Sequence, residues 1–178
     1  MENFHIVDIK GYKAKLPIIN LGRVSIAFFN LHGNPSLTEH CGKELAKLAK
    51  DCDVLLTAES KGLQLTHVVA RELNMEYYAV ARKSKKLYMV DGLHISYGSS
   101  ITTGKEQEFH LSKFDADLLK GKKVGIVDDV ISTGESVKGL EKVVEAAGGI
   151  VYKKLFVLAE DKSGDRKDIE YLAHIPLF

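Results

Sequence analysis

The sequence predicts an α/β domain built on a central parallel sheet flanked by helices. Two observations carry this. From about residue 53 to residue 160, short apolar runs alternate three times with segments of helical periodicity. No internal repeat, low-complexity tract or linker interrupts them, and 178 residues suffice for one domain with a sizeable core. The expected organisation is a single domain over residues 1–178, its core at about 36–160. The N- and C-terminal segments then form a hood or a sheet edge.

The elements follow in order. "FHIVDI" alternates as a strand, and "VSIAFF" is a second apolar run before Gly33 and Pro35 break the pattern. Ser36 to Lys50 has helical spacing, with Ser36 as the expected N-cap and Glu39 as its capping-box partner. "DVLLTAES" is a buried-type strand ending at Glu59-Ser60. "KGLQLTHVVARELN" follows as a helix with Leu65, Val68, Val69 and Leu73 on one face. "EYYAVAR" is a strand running into the basic stretch Arg82 to Lys86. "LHISYG" and "EFHL" read as strands separated by the polar "SSITTGKEQ", an expected exposed hairpin or loop. A helical turn at Phe114 to Lys120 precedes the strand "KKVGIVDD". The helix "SVKGLEKVVEAAGG" is stopped by Gly148-Gly149, the strand "IVYKKLFVLAE" follows, and "IEYLAHIPLF" closes the chain.

Composition narrows the function classes. A net charge of +1 gives no whole-molecule reason to bind nucleic acid or a membrane surface. No apolar run approaches the roughly 18 residues of a membrane span, and the N-terminus lacks a signal-type apolar core, so a cytoplasmic protein is expected. Cys41 and Cys52 form no C-x-x-C pair. They are expected as reduced core thiols rather than a redox or metal pair, and with Leu45 and Leu48 they fall at helical spacing. The seven histidines are scattered without ligand spacing, and no metal role is expected of them.

The chemistry concentrates in "KKVGIVDDVISTGES". Ser132-x-x-Glu135 matches a helix capping box. The same residues also suit a phosphate cradle: small side chains at a helix start, hydroxyls from Thr133 and Ser136, and Gly134 for backbone shape. A capped helix start is still an anion site, so the two readings are compatible. Asp128 and Asp129 repel one another and need compensation. Carboxylates accept hydrogen bonds, which suits a ribose cis-diol, and they can support a hydrated Mg²⁺ ion. A diol site just before a phosphate site describes a ribose 5-phosphate binder. Arg82, Lys83, Lys85 and Lys86 read alone as a solvated charge run. With Lys61-Gly62 at another strand-to-helix turn, they can instead hold a second, more highly charged phosphate group. All three clusters fall at carboxyl ends of expected strands, where open α/β sheets bind ligands.

"VGIVDDVISTGES" resembles the phosphoribosyl-diphosphate signature of type I phosphoribosyltransferases. "TAESKGL" resembles the diphosphate loop of the purine branch, most like adenine phosphoribosyltransferase, and "AVARKSKK" the strand end and basic loop after it. The resemblance spans roughly Asp53 to Glu160. It implies the type I phosphoribosyltransferase fold, with a small hood or flexible loop from Lys86 to Gln107. It implies a purine phosphoribosyltransferase of purine salvage, transferring 5-phosphoribosyl from phosphoribosyl diphosphate to a purine base, adenine favoured, and releasing diphosphate. By position, Asp128 and Asp129 would bind the ribose hydroxyls as the catalytic pair, and Ser132, Thr133, Gly134, Glu135 and Ser136 the 5-phosphate. Glu59, Ser60, Lys61, Gly62, Arg82, Lys83 and Lys86 would bind the diphosphate. The family implies Mg²⁺ held through substrate and water, with no direct protein ligand, and a homodimer.

Two departures stand out. Relatives carry Gly-Gly-Thr where this chain has Gly134-Glu135-Ser136, so Glu135 must point away from a phosphate. The N-terminus does not reproduce the base-binding opening of adenine enzymes, which leaves xanthine, hypoxanthine and guanine open. A regulator that senses phosphoribosyl diphosphate without turnover is a further alternative, but no helix-turn-helix or basic appendage accompanies the pocket. A receiver-type domain is disfavoured because the acidic pair comes late in the chain. No general acid or base for the purine nitrogen is identifiable; the acids Asp91, Glu106 and Glu108 read as solvated surface charge.

Overall fold

In a computed structural model of the chain, which describes residues 3–99 and 106–178, the expected alternation closes into one parallel sheet. Its strands are β4 (Val54–Ala58), β5 (Ala79–Ala81), β8 (Lys123–Ile131), β9 (Ile150–Glu160) and β10 (Glu170–Ile175), in the order β10-β9-β8-β4-β5. Every neighbouring pair is parallel. β4 is buried along its whole length, as a strand covered on both faces must be. The chain leaves β4 towards β5 on one side and leaves β8 towards β9 and β10 on the other. Strand order therefore reverses between β4 and β8, and the crevice beyond their carboxyl ends is the topological switch point where such sheets bind ligands.

Two apolar cores flank the sheet. One gathers α1 (Pro35–Leu48), α2 (Leu63–Glu72) and the N-terminal strands around Leu45, Leu55, Val69 and Val127. The other gathers α4 (Glu135–Ala146) and the hairpin β6 (Leu93–Ser99) and β7 (Glu106–Leu111) around Ile126, Leu140, Phe109 and Phe156. The helix α3 (Lys113–Leu119) adds Leu119 to it. Among the described residues, no helix is long and apolar enough to cross a membrane.

Several local expectations are corrected. The N-terminus is a three-stranded antiparallel meander, β1 (Phe4–Ile9), β2 (Tyr12–Asn20) and β3 (Ser25–Ala27). β2 is not legible in the sequence because Lys13, Lys15 and Pro17 break up its apolar pattern; they lie on its exposed face, alternating with buried Ala14 and Leu16. β10 borders the main sheet, whereas the N-terminal meander is a separate sheet; Ser25 and Phe178 exchange backbone hydrogen bonds of 2.7 and 2.9 Å. Asn34, not Ser36, caps α1; its Oδ1 accepts from the Leu37 N–H at 3.1 Å, with Pro35 opening the helix. Glu39 instead accepts two hydrogen bonds from Arg71 of α2, at 3.0 and 2.7 Å. Cys41 is buried in α1, but that helix ends at Leu48, so Cys52 lies beyond it, against Gly125 of β8. Burial pushes the Cys41 thiol up to about 12 and the Cys52 thiol to about 11, so both are poor nucleophiles. Most of the "SSITTGKEQ" segment, residues 100–105, lies outside the described residues.

Candidate functional site

β8 supplies the centre. The strand does not stop at the acidic pair but continues to Ile131, so Asp128 and Asp129 are strand residues near its carboxyl end. Asp129 is 4% exposed. Its Oδ1 accepts from the Val130 N–H at 2.9 Å, and Asp128 Oδ1 accepts from the Asp129 N–H at 2.9 Å. Asp129 Oδ2 has no hydrogen-bond partner among the described residues, although Lys61 Nζ lies 3.6 Å away. Burial raises the Asp128 carboxyl well above the ordinary carboxylate range, and the neighbouring Asp129 charge raises it further, while Lys83 opposes the shift.

The turn after β4 lies against this pair. Gly62 packs so tightly that an added Cβ would overlap Thr57 Oγ1 and lie 3.2 Å from Asp128 Oδ1. The glycine is thus required by the seating of α2 on the sheet. The Glu59–Ser60 peptide in this turn is cis. Lys61 reaches back between Asp129 and the Phe28 ring, whose centroid is 5.5 Å from Nζ.

The third cluster follows β5. Glu59 accepts from Arg82 Nη1 at 3.1 Å and from the Lys83 N–H at 3.0 Å. Its carboxylate thus ties the turn after β4 to the basic segment. The charge of Lys83 acts on Asp128, which links this segment to the acidic pair. Lys86 turns to Ser84 Oγ at 2.9 Å, and no described contact joins it to the pair.

The phosphate-type loop resolves the double reading of Ser132 to Ser136. The capping box does not form. α4 begins at Glu135, its N-cap is Gly134 in the left-handed region at φ 82°, and no side chain caps it. Thr133 Oγ1 is 3.5 Å from the Glu135 N–H. A helix start without a side-chain cap leaves N–H groups directed outward, which favours an anion there. Glu135 does point away: its Oε1 accepts from Lys138 at 3.0 Å. Gly98 of β6 lies against the start of α4, where an added Cβ would come 3.5 Å from Glu135 Oε2. The hairpin that the resemblance assigns to the hood therefore leans on this loop and on α4, where the Tyr97 ring covers Gly139.

Three residues escaped the sequence reading. Ser132 and Thr133 border a cavity of about 380 Å³ whose far wall carries Lys162 and Arg166. Arg166 Nη1 would lie 2.5 Å from a Cβ on Gly134, and Asp168 holds its guanidinium at 3.0 and 2.7 Å. The "EDKSGDRKD" run after β9 gave only a loop signal, because nothing local shows that it folds back onto α4. Phe28 was visible only as part of an apolar run.

Comparison with known proteins agrees with this architecture. Residues 30–173 match the phosphoribosyl transferase domain family. The chain is 34% identical over 158 residues to a xanthine phosphoribosyltransferase of an Exiguobacterium species, covering 84% of this chain and 80% of that one. It is 31% identical over 130 residues to an adenine phosphoribosyltransferase of Mesomycoplasma hyopneumoniae, covering 71% and 70%. The fold superposes on the crystal structure of an adenine phosphoribosyltransferase from Thermoanaerobacter pseudethanolicus with a TM-score of 0.68. That alignment covers 97% and 95% of the two chains at 23% identity, a likeness of fold. With a parallel sheet whose switch point brings two acids, a basic segment and an uncapped helix start to one rim, the chain belongs to the phosphoribosyl transferase domain family.

Proposed function

We propose that the chain transfers a 5-phosphoribosyl group from phosphoribosyl diphosphate to a purine base, with adenine first among the bases. The observation that carries this reading is the acidic pair Asp128-Asp129 at the switch point, with Lys61 on one side and the start of α4 on the other. The two carboxylates accept the ribose hydroxyls. The N–H groups from Ser132 to Ser136 receive the 5-phosphate, with Arg166 as an added cation beside Gly134. Lys61, Arg82 and Lys83 receive the diphosphate, while Glu59 orients Arg82 and the Lys83 N–H. Ser60 and Gly62 shape the same turn, and Lys86 reaches the ligand only by leaving Ser84. Phe28 offers a ring face for the base at the same rim.

Displacement at the sugar carbon passes through an oxocarbenium-like centre, where positive charge grows as the diphosphate leaves. Asp128 and Asp129 stabilise that charge from below, and the cations hold the leaving group in place. Mg²⁺ takes oxygen ligands and keeps several waters. The Asp128 carboxylate and the unpartnered Asp129 Oδ2 fit such an ion, through substrate oxygens and water. When bound, it would offset charge on the diphosphate. The working unit is a homodimer; the exposed Leu87, Tyr88 and Val90 beside the basic segment support an apolar contact.

Xanthine is the second reading for the base, because the xanthine enzyme is the more identical and longer-matching of the two relatives above. The deciding experiment measures diphosphate release with adenine, xanthine, hypoxanthine and guanine in the presence of Mg²⁺. Turnover on adenine is the expected result, and turnover on xanthine alone transfers the proposal to that base. Tight binding of phosphoribosyl diphosphate without turnover on any base would sink the enzymatic reading and leave a sensor.

A further inference from the structure

The hairpin β6–β7 carries a cluster that the proposed reaction does not use. Side chains two apart on a strand share a face, so Glu108 and His110 point the same way. The antiparallel register places His94 directly opposite His110, within cross-strand reach. The opposite face of the hairpin sends Tyr97, Phe109 and Leu111 into the core. As a result two histidines and a glutamate, sixteen residues apart at the extremes, offer one ligand atom each within 4.8 Å of one another. Scattered along the chain, these histidines become a cluster only once the hairpin register is known.

Glu108 bridges the Nε2 edges of the two rings, with its Oε2 2.6 Å from His94 Nε2 and its Oε1 3.0 Å from His110 Nε2. The rings are nearly parallel, with centroids 4.7 Å apart. His110 provides an independent observation. It is 6% exposed, and its Nε2 makes no hydrogen bond among the described residues, since Glu108 approaches it from an unsuitable direction. A buried ring nitrogen without a well-directed hydrogen bond calls for a better partner. The ring is also held in place: the His110 and Arg82 backbones exchange two hydrogen bonds of 2.8 Å.

We propose that His94, Glu108 and His110 form a binding site for a borderline divalent transition metal, Zn²⁺ first. Two imidazoles and one carboxylate suit Zn²⁺ and its neighbours Co²⁺ and Ni²⁺, whereas Mg²⁺ takes an all-oxygen set. Three protein ligands leave a fourth position for water. The ion would take up the unpartnered His110 nitrogen and cross-link β6 to β7 beside Arg82, stiffening the base of the hairpin that leans on the phosphate-type loop.

The test uses the full-length, tag-free protein stripped of metal by chelator dialysis. Zn²⁺ is titrated in competition with a chromophoric chelator, Co²⁺ is followed by its visible absorption, and thermal melts are recorded with and without Zn²⁺. One equivalent of Zn²⁺ is expected, together with intense Co²⁺ bands of a four-coordinate site and a Zn²⁺-dependent rise in melting temperature. The exposed His94→Ala and Glu108→Gln are each expected to weaken Zn²⁺ binding by about tenfold or more, since even groups behind a ligand are worth that much. Both variants should keep the metal-free melting profile and lose the Zn²⁺-induced rise. Absence of a stoichiometric Zn²⁺ site, or equal binding by wild type and both variants, overturns the proposal. None of these readouts depends on turnover, so they stand apart from the test of the proposed reaction.

Discussion

Asp128 is held in a position that opposes its own ionisation, first by burial and then by Asp129. A carboxyl whose folded pKa exceeds its unfolded value stabilises the fold most when protonated. That contribution is complete below the ordinary carboxylate value of about 3.9 and is lost as pH rises through the raised folded value. Asp128→Asn removes the ionising group. It is therefore expected to raise the melting temperature, relative to wild type, more at pH 8 than at pH 5, while turnover falls by about 10²–10³. Melts at the two pH values check this, and an equal shift at both would count against a pair strained by its own charge. Glu59 gives a second residue-level expectation. Both its oxygens are engaged, by Arg82 and by the Lys83 backbone. Glu59→Gln replaces one acceptor with a donor and weakens that tie. The KM for phosphoribosyl diphosphate should rise several-fold with kcat little changed, the pattern of lost ground-state binding. A fall in kcat at constant KM would show that Glu59 acts on the transition state instead.

The parallel strands were legible because each is a short apolar run bounded by turn residues, and α4 because Val137, Leu140 and Val144 recur at helical spacing and end at Gly148. The acidic pair and its loop were legible because strand, acids and helix start are contiguous in the chain. What could not be read depends on register or on chain return. Asn34 displaces Ser36 as a cap because Pro35 starts the helix two residues earlier than the apolar pattern does. The Ser132-x-x-Glu135 spacing satisfied a cap template that Gly134, in its left-handed conformation, forestalls. Arg166 meets Gly134 only after β9 has turned back. The packing of β6 on α4 belongs to the same category and carries a prediction. A Cβ on Gly139 would come within 2.5 to 2.8 Å of three Tyr97 ring atoms, and that ring is stacked on Phe109 at 4.5 Å. A rigid stacked ring cannot yield as a flexible side chain would. Gly139→Ala is expected to destabilise the protein by about 1–3 kcal/mol despite its better helix propensity. Urea denaturation would show a lower midpoint at unchanged slope. A gain in stability would mean that the hairpin moves off α4 without cost.

At the scale of the molecule, the two cores are divided by the sheet and the candidate site lies along one rim. Exposed apolar side chains such as Ile6, Leu21 and Phe114 occur elsewhere, but the segment after the basic run gathers three of them within four residues. Leu87 is 100% exposed, Val90 73% and Tyr88 65%, while Met89 between them is buried and anchors the segment. A cluster of this kind supports the proposed contact between two copies. Its neighbours in sequence are Arg82, Lys83 and Lys86, so a second copy packed here would also restrain the cations proposed to hold the diphosphate. With a net charge of only +1, self-repulsion offers little resistance to pairing. Wild type is therefore expected to elute with the mass of a dimer in light-scattering chromatography. Leu87→Asp combined with Val90→Asp should elute as a monomer with an unchanged circular dichroism spectrum, because neither side chain is buried in the fold of one chain. The monomer should also bind phosphoribosyl diphosphate more weakly, through its less restrained basic segment. A wild-type monomer at micromolar concentration would remove the homodimer from the proposal. It would leave the acidic pair, the uncapped helix start and the Glu59–Arg82 tie where they are, since all of these form within a single chain.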